Sequence, residues 1–209
     1  MSSPVLLSYF CRHGRTNLNA KNFFRGSMNP SLDDTGRRDA EELADYFAGK
    51  DISAIFYSDK KRSTETAQAI ARKKPEVPCY GTDALWAWNV GKFSGKEKTE
   101  ENQAALDEYI DNPDRPIPQG ESLNGFKSRV RPCIMESLEI ANRSGKPTIN
   151  VVHSSVIHEL GDMFNQNSTS TLVKPGGVAA VYAENGRIVA RPLLKPNKEK
   201  IGSRADTVS

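Results

Sequence analysis

Long apolar runs are missing from this sequence, whose uninterrupted apolar stretches fall far short of the about 20 residues that a membrane span requires. No positively charged and then apolar segment of the signal-peptide type opens the chain. Both absences argue against a membrane-embedded or a secreted protein. We therefore expect a soluble, cytoplasmic protein that makes no contact with a membrane.

Cysteine is also scarce. Cys11, Cys79 and Cys133 are odd in number and widely spaced, so they provide neither a disulfide framework nor the ligand spacing of a zinc site. This usage is typical of a reducing compartment. His153 and His158 are five positions apart, which misses the four-residue spacing of one helical face, and we predict no bound metal and no cofactor.

Charge of neither sign is in large excess, because the net charge is only +3, and this balance does not indicate a nucleic-acid partner. The 209 residues, of which 37% are hydrophobic, suffice for a full core, and the composition shows no internal break. We predict one domain over residues 1–194 and a basic, disordered tail over 195–209. The oligomeric state stays open, with a dimer as one alternative.

What the sequence does contain is a tetrad, Arg12-His13-Gly14-Arg15, directly after the apolar run Val5 to Phe10. A strand that stops at a glycine places the next side chains at the carboxyl edge of a sheet, where open α/β proteins bind ligands. A guanidinium offers a planar fork of donors to phosphate oxygens, and a neutral imidazole is a nucleophile near pH 7. Because a neighbouring cation disfavours the imidazolium form, Arg12 is expected to keep His13 unprotonated and able to attack phosphorus.

Two further apolar runs lead to basic residues. Ala54 to Tyr57 continues through Ser58 into a helix-like segment that carries Arg62, and Thr148 to Val152 ends at His153 before another helix-like stretch. Parallel strands of one sheet deliver the residues at their carboxyl ends to one edge. The three junctions therefore predict a mostly parallel sheet that brings these basic side chains together.

The remaining pattern favours an α/β order with helices between the strands. The segment 86–119 is expected to hold a helix over Glu97 to Ile110, and a longer helix runs from Leu123 to Ala141. Pro132 falls inside that longer pattern and should kink or split it. Asn185-Gly186 separates two apolar runs near the end of the sequence, which is a strong hairpin signal.

Five blocks of the sequence together resemble the histidine phosphatase superfamily, the fold shared by cofactor-dependent phosphoglycerate mutases and many small phosphatases. In chain order these blocks are Arg12-His13-Gly14 with Thr16 and Asn19; Gly26 with Pro30, Leu32 and Gly36; Ser58 to Ala67; Glu121-Ser122-Leu123; and Val151-Val152-His153. The resemblance extends from about Leu6 to Gly177 in the order of the family's motifs.

The resemblance implies a phosphoglycerate mutase-like, three-layer α/β sandwich, in which a mostly parallel central sheet carries helices on both faces. It implies that His13 is the phosphorylated nucleophile and that the phosphoryl group is clamped by Arg12, Arg62 and His153. The segment 86–119 would roof the active site. The expected substrate contacts are Asn19, Arg25, Thr16, Ser154, Trp86 and Trp88, with plain packing as the alternative for the two tryptophans.

One position departs from the family pattern. Phosphoglycerate mutase-like members carry a proton-donating glutamate four residues before the glycine of a Gly-x-aromatic-x-Gly block, and here that position is Ala87. Alanine cannot donate a proton, and general acid catalysis is typically worth about 10²–10⁴-fold. Asp83 and Glu121 are the two carboxylates that we consider as replacements, although a loop or capping role is an alternative for Asp83.

Three functions are compatible with these residues. The leading hypothesis is a phosphatase that hydrolyses a phosphomonoester or phosphoramidate through a phosphohistidine on His13. A phosphoglycerate mutase-like phosphotransferase or isomerase is the second, and the missing acid argues against it. The third is a phosphate-binding module with little turnover. In each case the partner is a small phosphorylated molecule whose identity the sequence does not give.

Overall fold

The computed structural model describes residues 3–164 and 173–193 of the chain. The tail over 195–209 that was expected to be disordered lies outside the described residues. The strands are β1 Val5–Arg12, β2 Ile55–Ser58, β3 Cys79–Thr82, β4 Thr148–Val152, β5 Val178–Glu184 and β6 Arg187–Leu193. The helices are α1 Asn17–Ala20, α2 Asp34–Ala48, α3 Lys61–Lys73, α4 Glu100–Asp111, α5 Leu123–Ser144 and α6 Ser154–Met163, with short 3₁₀ turns at Asp83–Leu85 and Gly91–Phe93.

The six strands form one sheet in the order β3-β2-β4-β1-β5-β6. Strands β1 to β4 pair in parallel, whereas β5 and β6 form an antiparallel hairpin that adds to β1. The predicted α/β class with a mostly parallel sheet is therefore confirmed. The hairpin predicted around Asn185-Gly186 is confirmed as well, and both residues have the positive φ angles that such a turn requires.

Buried side chains form two apolar clusters that include alternate residues of the central strands. Phe10 and Val152 belong to a cluster with side chains of α5 and α6, whereas Cys11 and Val151 belong to a cluster with side chains of α2 and α3. Because successive strand residues point to opposite faces, this division places helices on both faces of the sheet, as predicted. In the described part of the chain, no helix combines the length and the apolar content that a membrane crossing demands.

Helix α5 is the element that differs most from the sequence pattern. The sequence predicted that Pro132 would either kink this helix or split it in two. The structure excludes the split, because one helix runs from Leu123 to Ser144. Proline removes one backbone donor and crowds the preceding turn. Val130 and Ile134 on either side of it are fully buried in the same apolar cluster, and this packing stabilises the helix across the proline.

The parallel pairing of β1 with β4 positions the candidate site. Arg12 lies opposite Val152 in the register, so the two residues that follow, His13 and His153, emerge side by side. The His13 backbone N–H donates to the Val152 carbonyl at 3.0 Å, which extends the ladder by one residue. Strand β2 pairs with the other side of β4 and leads into α3, whose first turn carries Arg62.

Two glycines allow the loop after β1 to contact the start of α2 backbone to backbone. A Cβ atom added to Gly14 would overlap the Gly36 carbonyl oxygen, and one added to Gly36 would overlap the Arg15 carbonyl oxygen. Asp33 caps α2 by accepting the Gly36 N–H at 2.8 Å, and its other oxygen accepts from Arg15 Nε at 2.9 Å. The loop that carries His13 is thus fixed against a helix end with no room for a side chain.

We predict that Gly36→Ala lowers the free energy of unfolding by about 2–3 kcal/mol, because the added methyl group must displace the Arg15 backbone. Chemical denaturation measures this loss. Gly49→Ala is the matched control, since Gly49 has a φ of −91° at the end of the same helix and an added Cβ meets nothing within 4 Å. The control is expected to change stability by less than about 1 kcal/mol. Equal losses in the two variants would contradict the close approach.

Candidate active site

His13 is fully buried, and its two ring nitrogens have different partners. Nδ1 lies 2.7 Å from the Gly14 carbonyl oxygen, which can only accept, so Nδ1 carries the proton. Nε2 lies 3.2 Å from Nε of Arg62, which can only donate. The two contacts assign the neutral tautomer with a lone pair on Nε2, the form in which imidazole is nucleophilic.

Arg62 is held in place by hydrogen bonds of both its side chain and its backbone. Its side chain is fully buried, and Nη1 donates to the Met28 carbonyl at 2.9 Å. Its backbone carbonyl accepts from Oγ1 of Thr66 at 2.7 Å, and that same Oγ1 accepts the Gly14 N–H at 3.1 Å. The first turn of α3 therefore connects the arginine directly to the loop of the candidate nucleophile.

His153 faces His13 across the site. The ring centroids lie 5.2 Å apart, so the two histidines meet at one sheet edge as the three strand ends predicted. Nε2 of His153 and Oγ of Ser58 form a hydrogen bond of 2.8 Å. Among the described residues, the buried Nδ1 of His153 and the buried Nε of Arg12 have no hydrogen-bond partner. Buried polar atoms of this kind require a partner, and both suit the oxygens of a bound anion.

Burial and nearby cations keep both histidines neutral. Burial has the largest effect and lowers the pKa of His13 well below its usual value, and Arg62, Arg25 and Arg12 lower it further in that order. The pKa of His153 is lowered in the same way, by burial first and then by Arg62. The expectation that a cation disfavours the imidazolium form agrees with these shifts. Arg12 contributes to the lowered pKa of His13 as expected, after the larger effects of burial, Arg62 and Arg25.

A cavity of about 360 Å³ opens from Arg62 and His153. Of the substrate contacts expected from the sequence, Arg25, Ser154 and Trp88 line it, and so does Ala87. The side chains that complete its wall come from the 86–119 segment and from α5 and α6, together with Phe24. They include Phe24, Val90, Lys98, Gln103, Leu106, Ile110, Leu123, Phe126, Lys127, Ser155, His158, Glu159 and Asp162.

The other three expected substrate contacts have local partners and do not line this cavity. Thr16 caps the short helix α1, and its backbone N–H and Oγ1 both donate to Oδ1 of Asn19, at 3.1 and 2.9 Å. Trp86 packs its ring under the ammonium group of Lys60 at 3.5 Å and donates its indole N–H to Asp59. The signature residues Thr16 and Asn19 therefore shape the loop after His13, whereas Trp86 lies outside the cavity.

Neither of the two candidate proton donors lines the cavity. Asp83 is exposed at the first position of a 3₁₀ turn, and it does not line the cavity. Glu121 accepts the Asn89 N–H at 2.9 Å through Oε1 and makes a two-pronged ion pair with Arg129. Both carboxylate oxygens of Glu121 are thus acceptors from N–H donors, which is a structural arrangement and not that of a general acid.

Arg129 organises the segment that carries Ala87, and the sequence pattern gave no sign of it. Nε and Nη2 donate to Glu121 at 3.1 and 2.6 Å, Nη1 donates to the carbonyls of Ala84 and Trp86, and Nη2 also donates to that of Ala87. These five hydrogen bonds use the full donor capacity of a guanidinium. Arg129 thereby fixes the backbone beside the cavity at Ala87, the position at which the family resemblance led us to look for a proton donor.

Lys98 and His158 are two further lining residues that sequence reasoning missed or set aside. Lys98 lies in a run of charged residues without periodicity, so nothing distinguished it from a solvated surface. Burial lowers its pKa, and Arg25 and Arg12 add to this effect, which places Lys98 near the cationic end of the cavity. His158 was assigned a structural or exposed role, and it is exposed on α6 at the cavity wall.

We predict that Arg129→Gln lowers the free energy of unfolding by about 2–3 kcal/mol, because it leaves the partly buried Glu121 carboxylate without its ion-pair partner. Urea denaturation measures the loss, and Arg143→Gln, at an exposed position in the last turn of the same helix, should stay within about 0.5 kcal/mol of the unmodified protein. The double variant with Arg129→Gln and Glu121→Gln should lose less free energy of unfolding than the sum of the losses of the two single variants. Additive losses would show that the pair does not act as a unit.

Comparison with known proteins finds relatives in sequence and in fold. A probable phosphatase of Schizosaccharomyces pombe is 30% identical over 166 residues, which cover 79% of this chain and 77% of the relative. A 2,3-bisphosphoglycerate-dependent phosphoglycerate mutase of Methylocella silvestris is 27% identical over 200 residues, covering 88% and 96%. The crystal structure of a phosphoglycerate mutase from Bacillus anthracis has the same fold, with a TM-score of 0.72 at 22% identity over 92% and 93% of the two chains.

The residues of the candidate site also lie within the range that a family sequence model matches. The sequence model of the histidine phosphatase superfamily (branch 1) matches residues 8–174, a range that contains the strand ends bearing His13, Arg62 and His153. Relatives in this family include both phosphatases and phosphoglycerate mutases. Because the match spans well over half of the chain, this protein belongs to the histidine phosphatase superfamily.

Proposed function

We propose that the protein is a phosphatase that hydrolyses a phosphomonoester or a phosphoramidate through a phosphohistidine on Nε2 of His13. The observation that carries this proposal is the buried, neutral His13, whose Nδ1 is committed to Gly14 and whose Nε2 lone pair faces Arg62 at 3.2 Å. Such an imidazole needs no deprotonation before it attacks phosphorus.

In the first step Nε2 of His13 forms a bond to phosphorus while the bond from phosphorus to the leaving oxygen or nitrogen breaks, and the electron pair departs with the leaving group. Arg62 Nε, which donates to Nε2 in this structure, must then turn its N–H to a phosphoryl oxygen. Water attacks the phosphohistidine in the second step. The N–P bond breaks, inorganic phosphate leaves, and His13 returns to its neutral form.

The crowding of cations supports a doubly charged phosphoryl ligand. Burial is the main cause that lowers the pKa of Arg12 and of Arg62, and the charge of Arg25 lowers both further. Like charges at such close range oppose each other in a poorly hydrated site, and an anion between them removes that cost. Nε of Arg12 and Nδ1 of His153 are the buried nitrogens that such an anion would satisfy.

A phosphatase is favoured over a mutase by Ala87, which lines the cavity where a mutase-like relative would present its acid. A mutase must protonate and deprotonate a sugar-type hydroxyl in every cycle, and the two carboxylates first considered for that role are an exposed loop residue and a paired one. The mutase remains the second candidate, since several bacterial relatives bear that name. A binding module with little turnover is the third, and the experiments below separate it from both enzymes.

We also propose that the reaction takes place in the cytoplasm, without a metal ion, on a small phosphorylated molecule. The support for the compartment is that Cys11, Cys79 and Cys133 are free cysteines. The support for metal independence is the cluster of arginines, which supplies the positive charge that phosphoryl transfer requires.

We predict that His13→Ala abolishes turnover of p-nitrophenyl phosphate and leaves the melting temperature within a few degrees of the unmodified protein. A phosphoryl donor with a radioactive phosphate should label the unmodified protein in an acid-labile, base-stable form, and His13→Ala should take up no label. His158→Ala is the control, because it removes the third histidine of the sequence, which lines the cavity but is not part of the His13 and His153 pair, and this variant should still be labelled. Turnover by His13→Ala near the original rate would exclude His13 as the nucleophile.

We predict that the protein prefers leaving groups that need no protonation, such as phenols, or amines that carry their own basic nitrogen. Ala87→Glu should raise kcat/KM for alkyl phosphates by about 10-fold or more and change aryl phosphates much less, because an alkoxide needs an acid and a phenoxide does not. Ala87→Gln is the control of equal size without an acidic proton. Alkyl esters that the unmodified protein already cleaves as fast as aryl esters would contradict the missing donor.

A further inference from the structure

The cavity continues well past the phosphate-binding side chains along helix α6. Ser154, His158 and Asp162 line it at intervals of four residues, which is one face of that helix. Ser154 immediately follows His153, so the helix starts at the phosphate end. With a rise of 1.5 Å per residue, the lining extends over about 12 Å from Ser154 to Asp162. A phosphate group occupies only the first part of such a length.

The facing wall is apolar and comes from the segment that the sequence assigned to the roof. Leu106 and Ile110 of α4 line the cavity four residues apart, and Leu123 and Phe126 of the first turn of α5 line it beside them. Ile110 is 43% exposed, which makes it one of the few large apolar side chains of the described chain that water reaches. Exposed apolar surface that lines a cavity is the usual mark of a ligand contact.

The polar residues at the far end of the cavity are already paired with one another. Lys127 lies 3.5 Å from Glu159 and 3.4 Å from Asp162, and Glu159 also accepts from Arg131 at 2.6 Å. A charged group on a ligand would have to replace these ion pairs, at the cost of the partner left behind. An uncharged group meets no such cost, so the far end favours a ligand without a second charge.

We propose that this site takes phosphomonoesters of an elongated, uncharged and predominantly apolar alcohol or phenol, whose organic group lies along Leu106 and Ile110 of α4. The proposal rests on the phosphatase function proposed above and adds the shape of the substrate. Ala87 and Trp88 line the same cavity, and the small side chain of Ala87 takes up little of its volume. A cavity of about 360 Å³ suits a small molecule of this kind.

The test uses phenyl phosphate and its 4-ethyl, 4-butyl and 4-hexyl derivatives, whose phenolic leaving groups have nearly the same acidity. Only the length of the apolar group then changes along the series. We expect kcat/KM to rise by up to about fourfold per methylene, the equivalent of about 0.8 kcal/mol, until the chain reaches the end of the cavity. In Ile110→Asp, the increase in kcat/KM for each added pair of methylenes should be smaller by a factor of about three or more than in the unmodified protein.

Met135→Asp is the matched control, because Met135 is a similarly exposed apolar residue of α5 that does not line the cavity. It should leave the whole series unchanged. A flat series in the unmodified protein, or a rise that Ile110→Asp does not reduce, would overturn the proposal. Both results leave the phosphatase function standing as long as phenyl phosphate labels His13 and is hydrolysed. Failure of every ester, including phenyl phosphate, to label His13 would count against the phosphatase function itself.

Discussion

The parallel pairing of β1 with β4 is the constraint on which the rest of the site depends. One register, with Arg12 opposite Val152, places His13 beside His153 and lets the His13 N–H extend the ladder. A shift by one residue would move every side chain of the strand to the other face of the sheet. The buried Phe10 and Cys11, which pack into opposite apolar clusters, resist that shift, so the core of the fold fixes the distance between the two histidines.

The arginines and neutral histidines at this edge of the sheet destabilise the fold and suit the proposed phosphoryl transfer. Buried arginines and buried neutral histidines are both costly, because each group has lost hydration and the like charges oppose one another. The two nearest contacts of His13, Gly14 and Arg62, choose the tautomer that leaves Nε2 without a proton. In the proposed function, a phosphoryl group bound between these cations would remove the repulsion that the fold bears without an anion, and this relief would add to the affinity for phosphate.

The fold and the positions of Arg12, His13, Arg62 and His153 were predictable from sequence. Each of these residues lies at or shortly after the end of a strand, and the ends of parallel strands converge at one edge of the sheet. Asn19 and Trp86 could not be placed in the same way. Oδ1 of Asn19 accepts from Thr16 in a local cap, and the Trp86 ring is held by Lys60 and Asp59, and neither contact shows in the pattern of strands. The ion pair of Glu121 with Arg129 could not be predicted either, since Arg129 lies on a helix whose sequence pattern shows only which face is buried.

The absence of an acid and the shape of the cavity have a common origin at Ala87. Arg129 binds the Ala87 carbonyl and Glu121 together, so the backbone stays in the position that a donor would need while the side chain stops at a methyl group. Within the described chain, the carboxylates that line the cavity are Glu159 and Asp162, both toward the end of α6 and both near Lys127. For the proposed phosphatase, Ala87 therefore sets two demands on the substrate: its leaving group must depart unprotonated, and its organic part lies beside a methyl group instead of a carboxylate.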